Sequence, residues 1–390
     1  FSDIPAPAVP TQKIEYKIPA NEEPVFGIIT DKEATSSQIE LLWKGEPLPM
    51  ELNNTDIAYS MDMVKAFISI IMRERFSDIS ARPDAPFLGA SFGAGGLCNT
   101  PDAVFGSVSF KDGEAIPAFT AFMLEVEKMK RFGFNDGEVQ RAKDNIINAY
   151  EKAVEAAPTR KNAEFVNPLL YNFYDNEAYM TPETELQLAQ ALCASINAAV
   201  LNQIAAQVVT DENMVILYNG PEKEGLANPT EQQLLDVLAA VKNADIQANV
   251  EESVNEPLIS GELKGSKTKK AKQTIYGATE WNLKNGVKVV VLPTQHKKDQ
   301  VTLSLEFKGG RSLINTEDLP SFEDNIWGLF LRNSGVSKFS GTTLPKMLAG
   351  KNVSVMPYLG GSQHGISGQC APKDVETALQ LMYLTFVEPR

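Results

Sequence analysis

The order strand, strand, helix, strand, strand, helix occurs twice in this chain, and that repetition limits the folds open to it. In the first copy, apolar runs at 24–29 and 38–43 precede a helix that begins near Asn54 or Thr55, both good capping residues. Ile57, Met61, Val64, Ile68, Ile71 and Met72 recur along it at helical spacing, and Phe67 and Ile70 widen the stripe, as in a helix packed between layers. Strands at 87–92 and 103–110 follow, joined by a turn at Asn99–Asp102. A helix over 114–131 then presents Phe119, Phe122, Met123 and Val126 on one side. The second copy has strands at 287–292 and 301–307, helices at 322–332 and 344–349, and strands at 352–358 and 363–370. It closes with a helix over 372–386 carrying Val375, Leu379, Met382 and Phe386. Copies this far apart are duplicated domains; a solenoid repeats every 20–50 residues or so. The fold class expected is α/β (α+β): duplicated antiparallel-sheet domains with helices packed on one face.

Further helices fill the first block. Asn135 and Glu138 form a reciprocal cap, Pro168 predicts a kink within a helix over 162–174, and Thr181-Pro182 opens the next. Ser195 is the expected cap of a helix bearing Ile196, Val200 and Ile204. A strand at 214–218 ends on the turn signal Asn219-Gly220-Pro221, and Thr230 with Gln233 caps a last helix. From 248 to 273 hydrophobic periodicity stops while glutamates give way to lysines, the composition of a solvated linker extended over the surface. The expected domains are 1–247, a linker at 248–273, and 274–390 as the first part of a second homologous domain. Both ends read as cut within a longer polypeptide.

Composition excludes several functions. A net charge of −14 opposes nucleic-acid binding, which rests on neutralising phosphates, and agrees better with attraction for basic peptides. No run approaches the roughly 20 apolar residues that span a bilayer. Cys98, Cys193 and Cys370 are far apart and read as buried thiols.

Candidate chemistry is sparse. A hydrolytic zinc needs three protein ligands and an open position, and the two histidines, His296 and His364, lack partners at helical spacing. His364 and Cys370 on one strand would stand about 20 Å apart, too far for proton transfer. Gly93-Ala94-Gly95-Gly96 lacks the Lys-Ser/Thr ending and following helix of a phosphate loop and reads as a wide hairpin or bulge. The pairs Glu125 with Glu127 and Glu183 with Glu185 read as solvated faces. The residues assign no catalytic, cofactor or metal site.

The run Trp281 to Pro293 and the run Val301 to Gly310, ending Phe-Lys-Gly-Gly, resemble the opening strands of the homologous domains of pitrilysin/insulinase-family zinc metallopeptidases. Gly133 to Lys143 is similar to a helix start in the family's second, non-catalytic domain. In a catalytic copy, the helix after those strands carries His-x-x-Glu-His. Leu319 to Arg332 occupies that place here and has no histidine, so no zinc role transfers. The resemblance implies the second domain, hinge and start of the third domain of a clamshell endopeptidase that degrades or processes peptides in a closed chamber. It implies zinc in a preceding catalytic domain, the remaining domains of the same polypeptide as partners, and a bacterial periplasmic or envelope location. Inactive partner subunits share the fold, so an inactive scaffold is the alternative.

Overall fold

The computed structural model describes residues 18–96, 102–250, 256–323, 331 and 333–390, with Pro5 and Val9 before them. These divide into two compact units. The first comprises 1–142, 167–179 and 191–251, and the second 143–166, 180–190 and 252–390.

In the first unit β1 (Val25–Asp31) and β2 (Ser37–Gly45) lead into α1 (Asp56–Ser80). Then come β3 (Gly89–Gly96), β4 (Asp102–Phe110), α2 (Ala115–Phe132) and the start of α3 (Asp136–Ala156). After α4 (Val166–Asp175), the last residues of α5 (Pro182–Ser195, whose first part belongs to the second unit) and α6 (Ala198–Val208), the chain returns as β5 (Met214–Pro221) and ends in α7 (Glu231–Lys242). The sheet runs β1-β5-β2-β4-β3. Alternation decides its faces: Ile39, Leu41 and Trp43 of β2 are buried under the helices, with Glu40 exposed opposite. α1 packs on β3, and α2 packs on β4 and β2. Phe76 of α1 stacks on Phe122 of α2 with ring centres 5.0 Å apart, and burying each such ring contributes about 1.5–3 kcal/mol. Gly106 makes this fit possible, because a Cβ there would come within 2.6 Å of the Phe122 ring.

One pair departs from the antiparallel pattern. β5 lies parallel to β1, Val25 against Val215, while pairing antiparallel with β2 on its other edge. It reaches that slot through a helical excursion rather than a hairpin, and only a long crossover can deliver a parallel strand.

Several local expectations are corrected. Asn219-Gly220-Pro221 is strand, held against Ile29–Asp31 of β1, so sheet pairing overrides its turn chemistry. Of the two forms expected for Gly93–Gly96 the hairpin is the one found: the ladder between β3 and β4 runs without a bulge to Gly96 against Asp102. Pro168 does not kink a helix but sits in the first turn of α4, where its missing N–H costs nothing. The cap of α6 is Asn197, whose Oδ1 accepts from the Val200 N–H at 3.1 Å, and Ser195 closes α5 instead. In α1 the buried stripe is Met63, Phe67, Ile68, Ile71, Met72, Arg75 and Phe76, and Ile57 and Met61 are exposed. The reciprocal caps at Asn135/Glu138 and Thr230/Gln233 form as expected. The turn at 99–102 falls almost wholly outside the described residues, as does Cys98.

The second unit holds β6 (Lys272–Gln273), β7 (Thr279–Asn282) and β8 (Lys288–Val291) as one antiparallel sheet. Residues 267–273, at the end of the lysine-rich segment, are thus drawn into pairing with β7 and its continuation. Next come β9 (Val301–Lys308), α8 (Pro320–Glu323), a short hairpin of β10 (Gly335–Val336) and β11 (Phe339–Ser340), and α9 (Thr343–Met347). β12 (Val353–Leu359), β13 (Gln363–Cys370) and α10 (Val375–Val387) complete it. The helix expected at 322–332 lies largely outside the described residues. The sheet order β12-β13-β9 repeats β3-β4-β2 of the first unit, and both copies place a glycine in the central strand. Gly106 sits between Leu41 and Phe92, and Gly368 between Leu303 and Val355. α10 covers β12 and β13 with Ala378, Leu381, Met382 and Leu384. Leu379 and Phe386 of the expected stripe are exposed.

Candidate functional site

His364 stands in β13 opposite Phe307, and the two rings stack at 5.6 Å. Its Nδ1 accepts the Gly310 N–H at 3.2 Å. Gly310 has φ +61° and could not carry a Cβ, which would meet the Gly360 carbonyl at 2.4 Å. The imidazole therefore ties off the end of β9, a structural task. His296 is exposed in its turn. Cys193 and Cys370 are buried, and burial together with Asp374 pushes the Cys370 thiol up, away from the reactive thiolate. Among the described residues no three His, Cys, Asp or Glu side chains converge on a point that could hold a metal ion. The described histidines and cysteines are not arranged to hold a zinc ion, and the zinc that the resemblance implies is expected in a preceding domain.

A buried ionic cluster, which the sequence reading missed, lies in the first unit. Arg75 bonds both carboxylate oxygens of Glu138 at 2.7 and 2.8 Å, the Gly133 carbonyl at 2.8 Å, and Glu125 at 3.4 Å. Its guanidinium lies 5.0 Å from the centre of the Phe134 ring. Glu125 also accepts from Lys128 at 3.2 Å and Asn249 at 2.7 Å. Glu125 is therefore buried, not on a solvated face as its neighbours suggested, because Arg75 falls on the apolar stripe of α1 and needs a counter-charge there. Every member is paired, so the cluster is a brace without a group left to react.

A cavity of about 470 Å³ lies in this unit where α1 and α6 meet the end of the sheet. Its walls include Trp43, Met61, Val64, Ile68, Phe92 and Ile204. Ser60 at its edge is committed to the Asp56 carbonyl at 2.6 Å. Glu46, Lys44 and Lys65 also line the cavity, but most of the lining is apolar and suited to an apolar group.

Neither a family model nor a curated protein sequence matches the chain. Solved structures do. The periplasmic protease PqqL from Escherichia coli superposes with a TM-score of 0.57 at 17% identity, over 99% of this chain and 42% of that one. A mutant of the ferredoxin protease FusC, in complex with Arabidopsis ferredoxin, superposes with a TM-score of 0.59 at 17% identity, over 100% and 43%. Pitrilysin gives 0.54 at 11% identity, over 96% and 39%. This is the pitrilysin-like fold. The pitrilysin-like chain spans about two fifths of the length of each of these proteases. No single described helix is long and apolar enough to cross a membrane.

Proposed function

We propose that this chain is a non-catalytic part of a pitrilysin-like zinc endopeptidase. Residues 1–247 would form its second domain, 248–273 the connection between its halves, and 274–390 the start of its third domain. The observation that carries the reading is a duplicated pitrilysin-like fold matching two fifths of three proteases in a chain whose histidines are both accounted for by other tasks or isolated. Zinc and its ligands would come from a preceding catalytic domain, and peptides would be the substrate. The likeness to PqqL, a periplasmic protease, supports a periplasmic or envelope location. The chain's own contribution would be walls, sheet faces braced by helices.

The test is a longer form of the polypeptide compared with this chain. The longer form should contain His-x-x-Glu-His, hydrolyse unfolded peptides and lose that activity to a chelator. This chain alone should hydrolyse nothing with zinc added. Stoichiometric zinc and peptide hydrolysis in the 390-residue chain would overturn the reading. A preceding domain without the motif would make the parent an inactive scaffold.

A further inference from the structure

α4 is a short helix that buries almost none of its apolar side chains. Leu169, Leu170, Tyr171, Phe173 and Tyr174 are 44–79% exposed, and the Phe173 and Tyr174 rings meet edge-on at 5.1 Å. Scattered exposed apolar residues need no explanation, but a cluster this dense marks a contact surface.

The backbone beneath these side chains is held firmly. Asn53 Nδ2 donates to the Asp175 carbonyl at 2.8 Å, Asn176 Nδ2 to the Met50 carbonyl at 3.0 Å, and Asn172 Nδ2 to the Glu177 carbonyl at 2.6 Å. Asn176 takes φ +53°, the left-handed conformation that ends a helix and that asparagine tolerates. All of these residues belong to the first unit. The aromatic side chains are thus presented by a fixed scaffold, and binding there incurs little cost of ordering.

The electrostatic setting selects the partner. Asp175 and Glu177 lie at the exposed end of α4 and share their field with Asp62 of α1; burial and these two neighbours push the Glu177 carboxyl up. Lys65 pairs with Asp62 at 3.3 Å. An aromatic surface beside several carboxylates complements a chain that carries both cations and apolar groups, since ring faces and carboxylates each attract Lys and Arg.

We propose that the outer face of α4, from Leu169 to Glu177, docks a basic, apolar segment of unfolded polypeptide. The ten-residue helix is about 15 Å long, a length along which an extended chain can lie. The proposal does not depend on the peptidase reading, because this chain by itself should bind.

Fluorescence polarisation tests it, with a labelled disordered peptide rich in Lys, Leu and Tyr and a matched peptide carrying Glu in place of Lys. The basic peptide should bind saturably and the acidic one should not. Phe173→Ser combined with Tyr174→Ser should weaken binding at least about tenfold. Asp175→Asn combined with Glu177→Gln should weaken it about threefold or more and flatten its salt dependence. Circular dichroism should show both variants folded, as expected for exposed positions. Equal binding of the two peptides, no saturable binding, or binding untouched by the aromatic pair would overturn the proposal. Self-association of the unmodified chain that the aromatic pair abolishes would also overturn it, giving the face to a second copy.

Discussion

Arg75→Ala removes the centre of the buried cluster and leaves its carboxylates in place. Glu138 loses both guanidinium bonds and keeps only the Asn135 N–H, at 2.9 Å. Glu125 is better provided for, because Lys128 and Asn249 remain. The stranded charge is therefore Glu138, 6% exposed, and breaking a buried pair in this one-sided way costs about 3–5 kcal/mol. In a unit of this size that lowers the melting temperature by about 6–20 °C. Differential scanning calorimetry would read it as a shift of the first unit's transition. The sharper arm adds Glu138→Gln to Arg75→Ala. Glutamine can still accept from the Asn135 N–H but carries no charge, so the double variant should recover about 1–3 kcal/mol of the loss. A loss below about 1 kcal/mol for Arg75→Ala, or a double variant less stable than the single one, would refute the argument that an uncompensated charge sets the cost.

Gly106→Ala should destabilise the first unit by about 1–3 kcal/mol through overpacking against Phe122, measured by urea unfolding. Lys223→Ala should raise the Asp112 carboxyl toward its ordinary value, read by NMR titration. Lys223, with Ser37, holds that carboxyl low at present, so its stabilising effect exists above the ordinary value near 3.8 and fades as pH falls through the lowered one. Glu177 has the opposite sign: its carboxyl is raised, so ionising it opposes folding as pH climbs above the ordinary value near 4.5. Glu177→Gln should therefore stabilise the chain at neutral pH and make no difference well below pH 4.5, which thermal melts at the two pH values would check.

Elements governed by local chemistry were legible in the sequence. The capping boxes at Asn135 and Thr230 use side chains three residues apart, and the alternation in β2 assigns Ile39, Leu41 and Trp43 to the core without reference to anything distant. What could not be read depended on partners remote in sequence. Asn219-Gly220-Pro221 has every mark of a turn, and only β1 makes it strand. Glu125 has polar neighbours along the chain, and only Arg75, on another helix, brings it inside. Arg75 itself was a usable signal, since it extends the spacing of Ile68, Ile71 and Met72 and a cation on that stripe requires a buried anion. The exposed face of α4 could not be read from the sequence, because an apolar run does not reveal whether anything covers it.

The parallel seat of β5 between β1 and β2 also sets a schedule for synthesis. Asn21, just ahead of β1, donates its N–H to Asn213 at the threshold of β5, 192 residues later. At ribosomal speeds that gap is roughly 10–40 s. Throughout it β1 has no neighbour in its own sheet, and β2 has one edge open. The nascent chain must therefore carry unsatisfied strand edges while its helices are still emerging, a condition that slows closure and invites wrong pairing. Holdase chaperones that shield such edges would be expected to raise the yield of this unit more than an increase in its equilibrium stability would.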